Sequence, residues 1–558
     1  MADNEPILIP LRLETIRIAF IQLGDRVNAA LRTQIGDTLR LQEQNSGVLR
    51  MLQAIQEHAD VIPVDERQVM EDSIDAMIHA LATATVQSDD PPPRQAIAVA
   101  HREATGRRGR PRVEIDYDFL SFGLQLRGPT GLAPVAGVAP RTIRRRALEY
   151  ELVEPAAPVY TESQDEATGE VIRTYTSSTS GPVSAITDDE LDQLMHHILE
   201  IFPTFGRRMI AGHLRQLGYR VPTLRIRESY NRVHGPPVSY SNTATGRQPY
   251  RVAGPNSLAH HDGQHGLRRW RIIIHAFIDG YSRFVTGIRA NDNNRAATVL
   301  AVFLEDVVAR HGTPRRVRGD HGTENVRVAE WMESLYGPEH GAYIWGRSVH
   351  NIRIERLWCD VTRGFGRKWS NFFLSLEYSC GLQPDLDAHI WLIHHLFLRA
   401  INQDAADWAK AWNEHKIRFD NDRTRSPRDL FFFGMIENGL RGFDAVPGTT
   451  ADDDDVEDLD AYGIDWEDLH DADIMAHHTE QNADEEVDHD ALQNPFSNDG
   501  PHKLSHVEVQ EPLCPFTPEH VELLDAHLVA NPHSESRNMN SRRAVWIEAL
   551  AFCRSFYD

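Results

Sequence analysis

Cysteine is scarce: there are four in 558 residues, none before Cys359 and no pair in a CxxC arrangement. That excludes a disulfide scaffold and a thiolate zinc site, and it fits reduced thiols inside a cell. Long apolar runs are missing as well. No stretch of 18 apolar residues occurs, and the opening MADNEPILIP lacks the basic-then-apolar pattern of a secretion signal. Neither membrane spanning nor export is expected. Lys and Arg are absent altogether between Ala451 and Asp490, where 18 of the 82 acidic residues lie. The formal net charge of −24 is thus largely the property of one segment. Phosphate binding answers to local basic patches rather than to whole-chain charge, so nucleic acid stays open as a partner. Such patches exist, since residues 101–149 carry ten arginines against five acidic side chains.

What is present divides the chain into several domains, because single cores stop growing beyond about 250–300 residues. Residues 1–87 read as helical. Phe20, Leu23, Val27, Leu31, Ile35 and Leu39 recur three or four apart and make one apolar stripe, suited to a small bundle core or to an oligomerisation arm. Prolines 91–93 end that block and open a basic Pro/Gly-rich linker, 88–116. Within it Arg108-Gly109-Arg110-Pro111 resembles an AT-hook, a flat peptide whose arginines enter a narrow minor groove.

Residues 117–154 suggest a helix-turn-helix. An apolar helix around Phe119 and Leu126 is followed by a Gly/Pro-rich turn with room only for a short second helix. Pro140 then starts a helix bearing Arg141, Arg144 and Arg145, a basic face suited to DNA. A Ser/Thr/Pro/Glu-rich linker fills 155–186. Across 187–240 a second helical unit opens on the capping box Thr187-Asp-Asp-Glu190 and ends on a basic helix, Leu224 to Arg232. It is either a second DNA-binding unit or an ordinary helical linker domain. Further on, 371–445 reads as a helical extension. Residues 446–503 read as an acidic disordered segment, either a solvated tail or a DNA mimic, and 504–558 as a small helical appendage.

Three segments within 250–370 carry chemistry. They are Ala259-His-His-Asp262-Gly-Gln-His-Gly-Leu267, Arg318-Gly-Asp320-His-Gly-Thr-Glu-Asn325 and His350-Asn-Ile-Arg-Ile-Glu355-Arg-Leu-Trp358. Between the first two lies an apolar strand from Arg271 to Ile278, an Asp279-Gly280 turn and a second strand from Arg283 to Ala290. An amphipathic helix from Asn293 to His311 follows, then a short strand from Pro314 to Arg318 that feeds Asp320. The pattern predicts an α/β domain, a mixed sheet flanked by helices.

These segments resemble the catalytic core of the retroviral integrase and DDE transposase superfamily, nearest to the integrase-core proteins of eukaryotic, especially fungal, transposons. That family places one Asp on the first strand, a second after the fourth strand and a Glu on a following helix. Here 58 residues separate Asp262 from Asp320, and 35 separate Asp320 from Glu355. The resemblance implies an RNase H-like fold with Asp262, Asp320 and Glu355 as catalytic and metal-holding residues. It implies two Mg²⁺ or Mn²⁺ ions, DNA as partner, cleavage of element ends and strand transfer, a nuclear location and no nucleotide cofactor. Joining two ends implies at least a homo-oligomer. Carboxylates suit this chemistry because hard oxygens hold hard cations, and a pair of ions serves the attacking and leaving oxygens together.

Alternatives sit beside this reading. Asp279 follows an obvious strand, but Asp-Gly marks a turn. His260, His261, His265 and His321 crowd the first two segments, where substrate or solvent contact is expected rather than zinc. The chain departs from the family at His261, where an apolar residue is usual, at Gly266, where a Lys is usual, and at Cys359, where a basic residue faces DNA. Arg353, Arg356 and Arg363 on the same helix are expected to compensate. Two rival functions remain: a catalytically idle, host-recruited DNA-binding or regulatory protein, and an RNase H-like nuclease acting on hybrids.

Overall fold

The computed structural model describes residues 13, 16–24, 26–28, 38–59, 62–86, 96–103, 111–154, 160–164, 171–175, 184–234, 252–320, 322–337, 341–345, 351–418, 424–443, 477, 507 and 509–556. Near the N-terminus α1 (Thr38–Glu57) and α2 (Val64–Val86) pack together. Phe20, Leu23 and Val27 bury against Val48, Ile55 and Ile74 of this pair, so the described part of the stripe serves a bundle core.

β1 (Ala100–Glu103) and β2 (Arg112–Ile115) pair antiparallel, so the stretch expected to be linker carries a hairpin. Arg108 and Arg110 lie outside the described residues. Next, α3 (Tyr117–Leu126), α4 (Pro129–Leu132) and α5 (Pro140–Glu149) form the three-helix unit expected from the sequence, with the second helix a single turn. Asp116 starts α3 by accepting from the Phe119 amide at 2.7 Å, and prolines occupy the first turns of α4 and α5. The 155–186 linker also needs correction, since β3 (Tyr160–Gln164) and β4 (Val171–Tyr175) pair antiparallel within it. The unit of α6 (Asp188–Ile201), α7 (Arg207–Gln216) and α8 (Thr223–Val233) opens on the expected capping box.

The central sheet follows. β5 (Leu258–Leu267), β6 (Ile272–Asp279) and β7 (Val285–Asn291) run antiparallel, and β8 (Arg316–Gly319) and β9 (Tyr343–Trp345) lie parallel to β5, in the order β7-β6-β5-β8-β9. Side chains alternate between the faces with the two-residue period of a strand. Ala259, Phe277, Val317 and Tyr343 face α9 (Ala296–Val302) and α10 (Val326–Tyr336). Ile272, Ile274, Ala276 and Ile278 face α11 (Ile352–Val361), α12 (Arg367–Ser379) and α13 (Asp387–Glu414). A π-helical turn, Thr362–Gly366, joins α11 to α12, and there Gly364 lies so close to Trp408 that a Cβ would run into the indole.

The edge strand β7 does not stay open. Asn402 and Asn413 of α13 each donate to and accept from the backbone of one β7 residue, Ala290 and Val285, at 2.8 to 3.0 Å. Side-chain amides thereby stand in for a neighbouring strand and satisfy an exposed edge.

Modules outside the sheet are bolted to it. α14 (Pro427–Glu437) contributes Phe433 and Ile436 to the apolar cluster of Phe119, Leu120, Leu132 and Ile143. Arg127 grips Asp429 through two nitrogens, at 2.8 and 3.1 Å, and lies 3.6 Å over the Phe433 ring. α15 (Pro518–Val529) and α16 (Met539–Arg554) add Leu524, Leu528, Val545 and Trp546 to the same core as Ile272, Ile274, Ala276 and Ile278 of the sheet.

Buried imidazoles make this interior acid-sensitive. Burial, then the neighbouring His265, pushes His275 down to about 4. Burial also brings His415 down to about 4. Imidazoles of an unfolded chain titrate near about 6.5. As pH falls from there towards 4, the unfolded state binds protons that the folded state refuses, so stability declines through that window. The thermal midpoint is expected to drop steadily from pH 7 to 5, and His275→Gln to shallow the drop. An unchanged slope in the variant removes His275 from the account.

Candidate active site

Asp262 stands mid-strand on β5, opposite Ala276 in register and therefore on the face covered by α11. Asp320 follows β8 directly, and Glu355 lies in the first turn of α11, buried. The three meet electrostatically. Burial, then the negative charges of Asp320 and of Glu355, pushes the Asp262 carboxyl well above the usual carboxylate range. Two donors work against that push: Trp358 Nε1 donates to Asp262 Oδ2 at 2.9 Å, and the Gly263 amide donates to Oδ1 at 2.7 Å. Asp320 is held separately. The Asn325 side chain donates to its Oδ1 at 2.5 Å and to its carbonyl at 3.3 Å.

Behind Asp320 the packing is tight. His261 points to the opposite face of β5, stacks on Phe277 with ring centroids 4.9 Å apart and pairs with the Tyr343 hydroxyl at 2.6 Å. Burial, then His275, brings His261 down to about 3, so it is a neutral packing ring at the position where an apolar residue is usual. Burial, then Asp320, Glu324 and Asp262, raises the Tyr343 hydroxyl well above its usual range. Glu324 is thus a fourth carboxylate close to the site. A Cβ on Gly319 would run into both the Tyr343 hydroxyl and the His261 ring. Gly319→Ala is therefore expected to cost about 1–3 kcal/mol in denaturant unfolding, the usual toll of overpacking. A cost below roughly 0.5 kcal/mol, the range of an ordinary surface change, refutes that close fit.

Among the described residues no three His, Cys, Asp or Glu side chains stand at the spacing of a formed metal shell. The donor chemistry nevertheless fits a hard divalent ion. Asp262 lies within electrostatic reach of Asp320 and Glu355, and burial first and then those two charges disfavour it as an anion, an imbalance that a cation relieves. The carboxylates have still to close in on such an ion.

Other expectations sort as follows. Asp279 accepts from the Asn256 amide and from the Ser282 amide and hydroxyl at 2.6 to 2.8 Å, and burial raises it to about 6. Those contacts make it a turn residue. His260 pairs with Asn351, and His321 lies outside the described residues. Arg353 needs correction: only 3% of it is exposed, inside the domain near Asp279, so it does not line a DNA-facing surface. Arg356 is 41% exposed beside Asp360. Cys359 is buried and its thiol is pushed up to about 12 by burial, so that position faces inward rather than towards DNA.

On α5, Arg141, Arg144 and Arg145 are exposed, whereas Arg146 is buried and donates to the Val113 carbonyl at 2.7 Å. On α8, Arg225 and Arg232 turn back onto Asp188 and Asp192 of α6, at 2.6 and 2.7 Å. Asn325 and Trp358 carry no role that their residue types alone suggest. Their positions, five residues after Asp320 and three after Glu355, are the signal by which they could be found.

Residues 249–445 match the family model described as the integrase core domain. Among curated proteins, none matches the chain. The matched span runs from just before β5 through α14, and it takes in Asp262, Asp320 and Glu355.

Proposed function

We propose, from the premise that residues 249–445 form an integrase core domain with the RNase H-like fold, that this chain cleaves DNA ends and transfers them to a target in a metal-dependent reaction. The observation that carries this is the placement of Asp262 on β5, Asp320 just after β8 and Glu355 in the first turn of α11, close enough that the charges of Asp320 and Glu355 add to burial in raising the Asp262 carboxyl. In this reading Asp262, Asp320 and Glu355 would together hold two Mg²⁺ or Mn²⁺ ions. Bound there, the ions supply Lewis acidity to the attacking and leaving oxygens of an in-line displacement. The chain's own groups do the aiming. Asn325 steadies Asp320, and Trp358 and the Gly263 amide steady Asp262. The test is whether the full chain, given Mg²⁺ or Mn²⁺, nicks or joins duplex DNA. A wild-type chain without any metal-dependent product defeats the reading.

One observation favours a second reading, a catalytically idle relative that still binds DNA through its helical modules. Cys359 and Arg353 are both buried, so neither offers DNA the basic contact expected beside Glu355. The same assay separates the two, since an idle protein binds DNA and leaves it intact.

We assign DNA contact to α5, held against the core through Arg127 and Asp429. Arg141, Arg144 and Arg145 are exposed, Arg145 with Glu149 at 3.9 Å, whereas Arg225 and Arg232 of α8 are already engaged with α6. Arg144→Ala is expected to weaken duplex binding and to make its salt slope shallower by about one, the release of one counterion fewer. Arg232→Ala is expected to leave that slope alone. The reverse pattern moves the contact to α8. Assembly as a homo-oligomer and a nuclear location complete the proposal.

A further inference from the structure

The strand that carries Asp262 is tied to the helix that carries Glu355 at three points, not one. His260, Asp262 and Gln264 share a face of β5, because side chains two apart point the same way. Each meets a residue in or beside α11. His260 Nδ1 pairs with Asn351 Oδ1 at 2.9 Å, and the Asn351 amide also donates to the His261 carbonyl at 2.8 Å. Trp358 donates to Asp262 at 2.9 Å. Gln264 Nε2 donates to Thr362 Oγ1 at 2.5 Å. On the helix side, Asn351, Glu355, Trp358 and Thr362 are spaced four, three and four apart, one stripe along an α-helix. Glu355 lies on that stripe between the first two rungs.

We propose that this ladder is a positioning device: its three rungs fix the register of α11 against β5, and so set where Glu355 meets Asp262 and how Asp262 presents its oxygens to a divalent ion. This rests on the carboxylate reading above. Asn351 is diverted to the task. It precedes α11, where a side chain would ordinarily cap the helix, yet it makes no capping bond and reaches across to β5 instead. The π-helical turn begins at Thr362, the third rung itself, so the helix changes its winding where the ladder ends. Trp358 is needed as Trp and not merely as an aromatic. Phe keeps an aromatic ring but is smaller and lacks the N–H, and partners that orient a ligating carboxylate commonly matter 10–100-fold, roughly, for metal affinity.

The experiment is Mn²⁺ binding to the full chain without DNA, followed by the electron paramagnetic resonance of free Mn²⁺. Trp358→Phe is expected to weaken binding about 10–100-fold in the folded chain, with a lower metal-free thermal midpoint from the lost indole volume. Thr362→Val, an isosteric change at a half-buried position, is expected to weaken it as well. The double variant is expected to depart from additivity, because both act through one register. Should Trp358→Phe fail to fold, Thr362→Val decides alone. Unchanged Mn²⁺ binding in the folded ladder variants, with binding abolished in Asp262→Asn, overturns the ladder and leaves the carboxylate reading standing. If Asp262→Asn binds Mn²⁺ as the wild type does, the carboxylate reading is lost and the ladder with it.

Discussion

Glu355→Gln and Asp262→Asn are each expected to lower metal-dependent cleavage and joining of duplex DNA by about a thousandfold or more. Metal ions contribute several kcal/mol of charge stabilisation in such displacements, and each 1.4 kcal/mol or so is tenfold in rate. Both substitutions keep shape and remove charge. Folding should survive them, because Asp262 is disfavoured as an anion in the metal-free chain. Indeed a neutral Asn at position 262 relieves the repulsion from Asp320 and Glu355, so the metal-free thermal midpoint is expected to hold or rise while activity collapses. Opposite movement of stability and activity marks a site built for a cation. Activity within tenfold of wild type in either variant would remove the three-carboxylate mechanism.

The second large effect concerns stability. Asp404 of α13 is wholly buried and gathers Lys368, Arg537, the Trp369 indole at 3.0 Å and Arg542 at 3.8 Å. Lys368 also donates to the Ile201 carbonyl at 2.8 Å, so one carboxylate links α6, α12, α13 and α16. Burial alone would raise the Asp404 carboxyl, but the surrounding cations outweigh it and hold it below the usual range. Burial first, then competition from Arg542 and Arg537, brings Lys368 down to about 8. A carboxylate with a depressed folded-state pKa contributes stability above its unfolded value, near about 3.9, and loses it as pH falls further. The contribution is therefore complete at neutral pH. Asp404→Ala strands three largely buried cations with Asp407 as the nearest anion, and breaking a buried ionic cluster from one side typically costs about 3–5 kcal/mol. Urea unfolding at pH 7 measures it. A loss under about 1 kcal/mol, the scale of an exposed ion pair, would show the cluster to be dispensable.

That cluster also shows what the residues near the C-terminus do. The sequence marks 504–558 only as a helical appendage. Arg537 and Arg542 have no visible partner until α13 is folded, because the partner is more than 130 residues away in the chain. Truncation before α15 is expected to expose the socket of Trp546, which donates to the Cys380 carbonyl at 3.0 Å and is fully buried.

Local patterns are enough for much of the fold. The run at 272–278, apolar but for His275, announces a strand buried on both faces, and the Asp279-Gly280 turn and the capping box at Thr187 lie where their chemistry requires. The order and spacing of Asp262, Asp320 and Glu355 are likewise legible in the chain, since the strands and the helix start that place them have short-range signals. Contacts between distant elements have none. A period of 3.6 puts Arg353 and Arg356, three apart, at neighbouring positions of α11, and only the packing of the sheet against that helix decides that Arg353 is buried while Arg356 stays partly exposed. The rungs at Asn351, Trp358 and Thr362, the edge-sealing amides of Asn402 and Asn413, and the diversion of the α8 arginines onto α6 arise in the same way. Each is a polar group whose partner lies some 37 to 128 residues off. Sequence periodicity determines what a segment can become, while the burial of polar atoms, which demands a partner for each, is settled only when the segments meet.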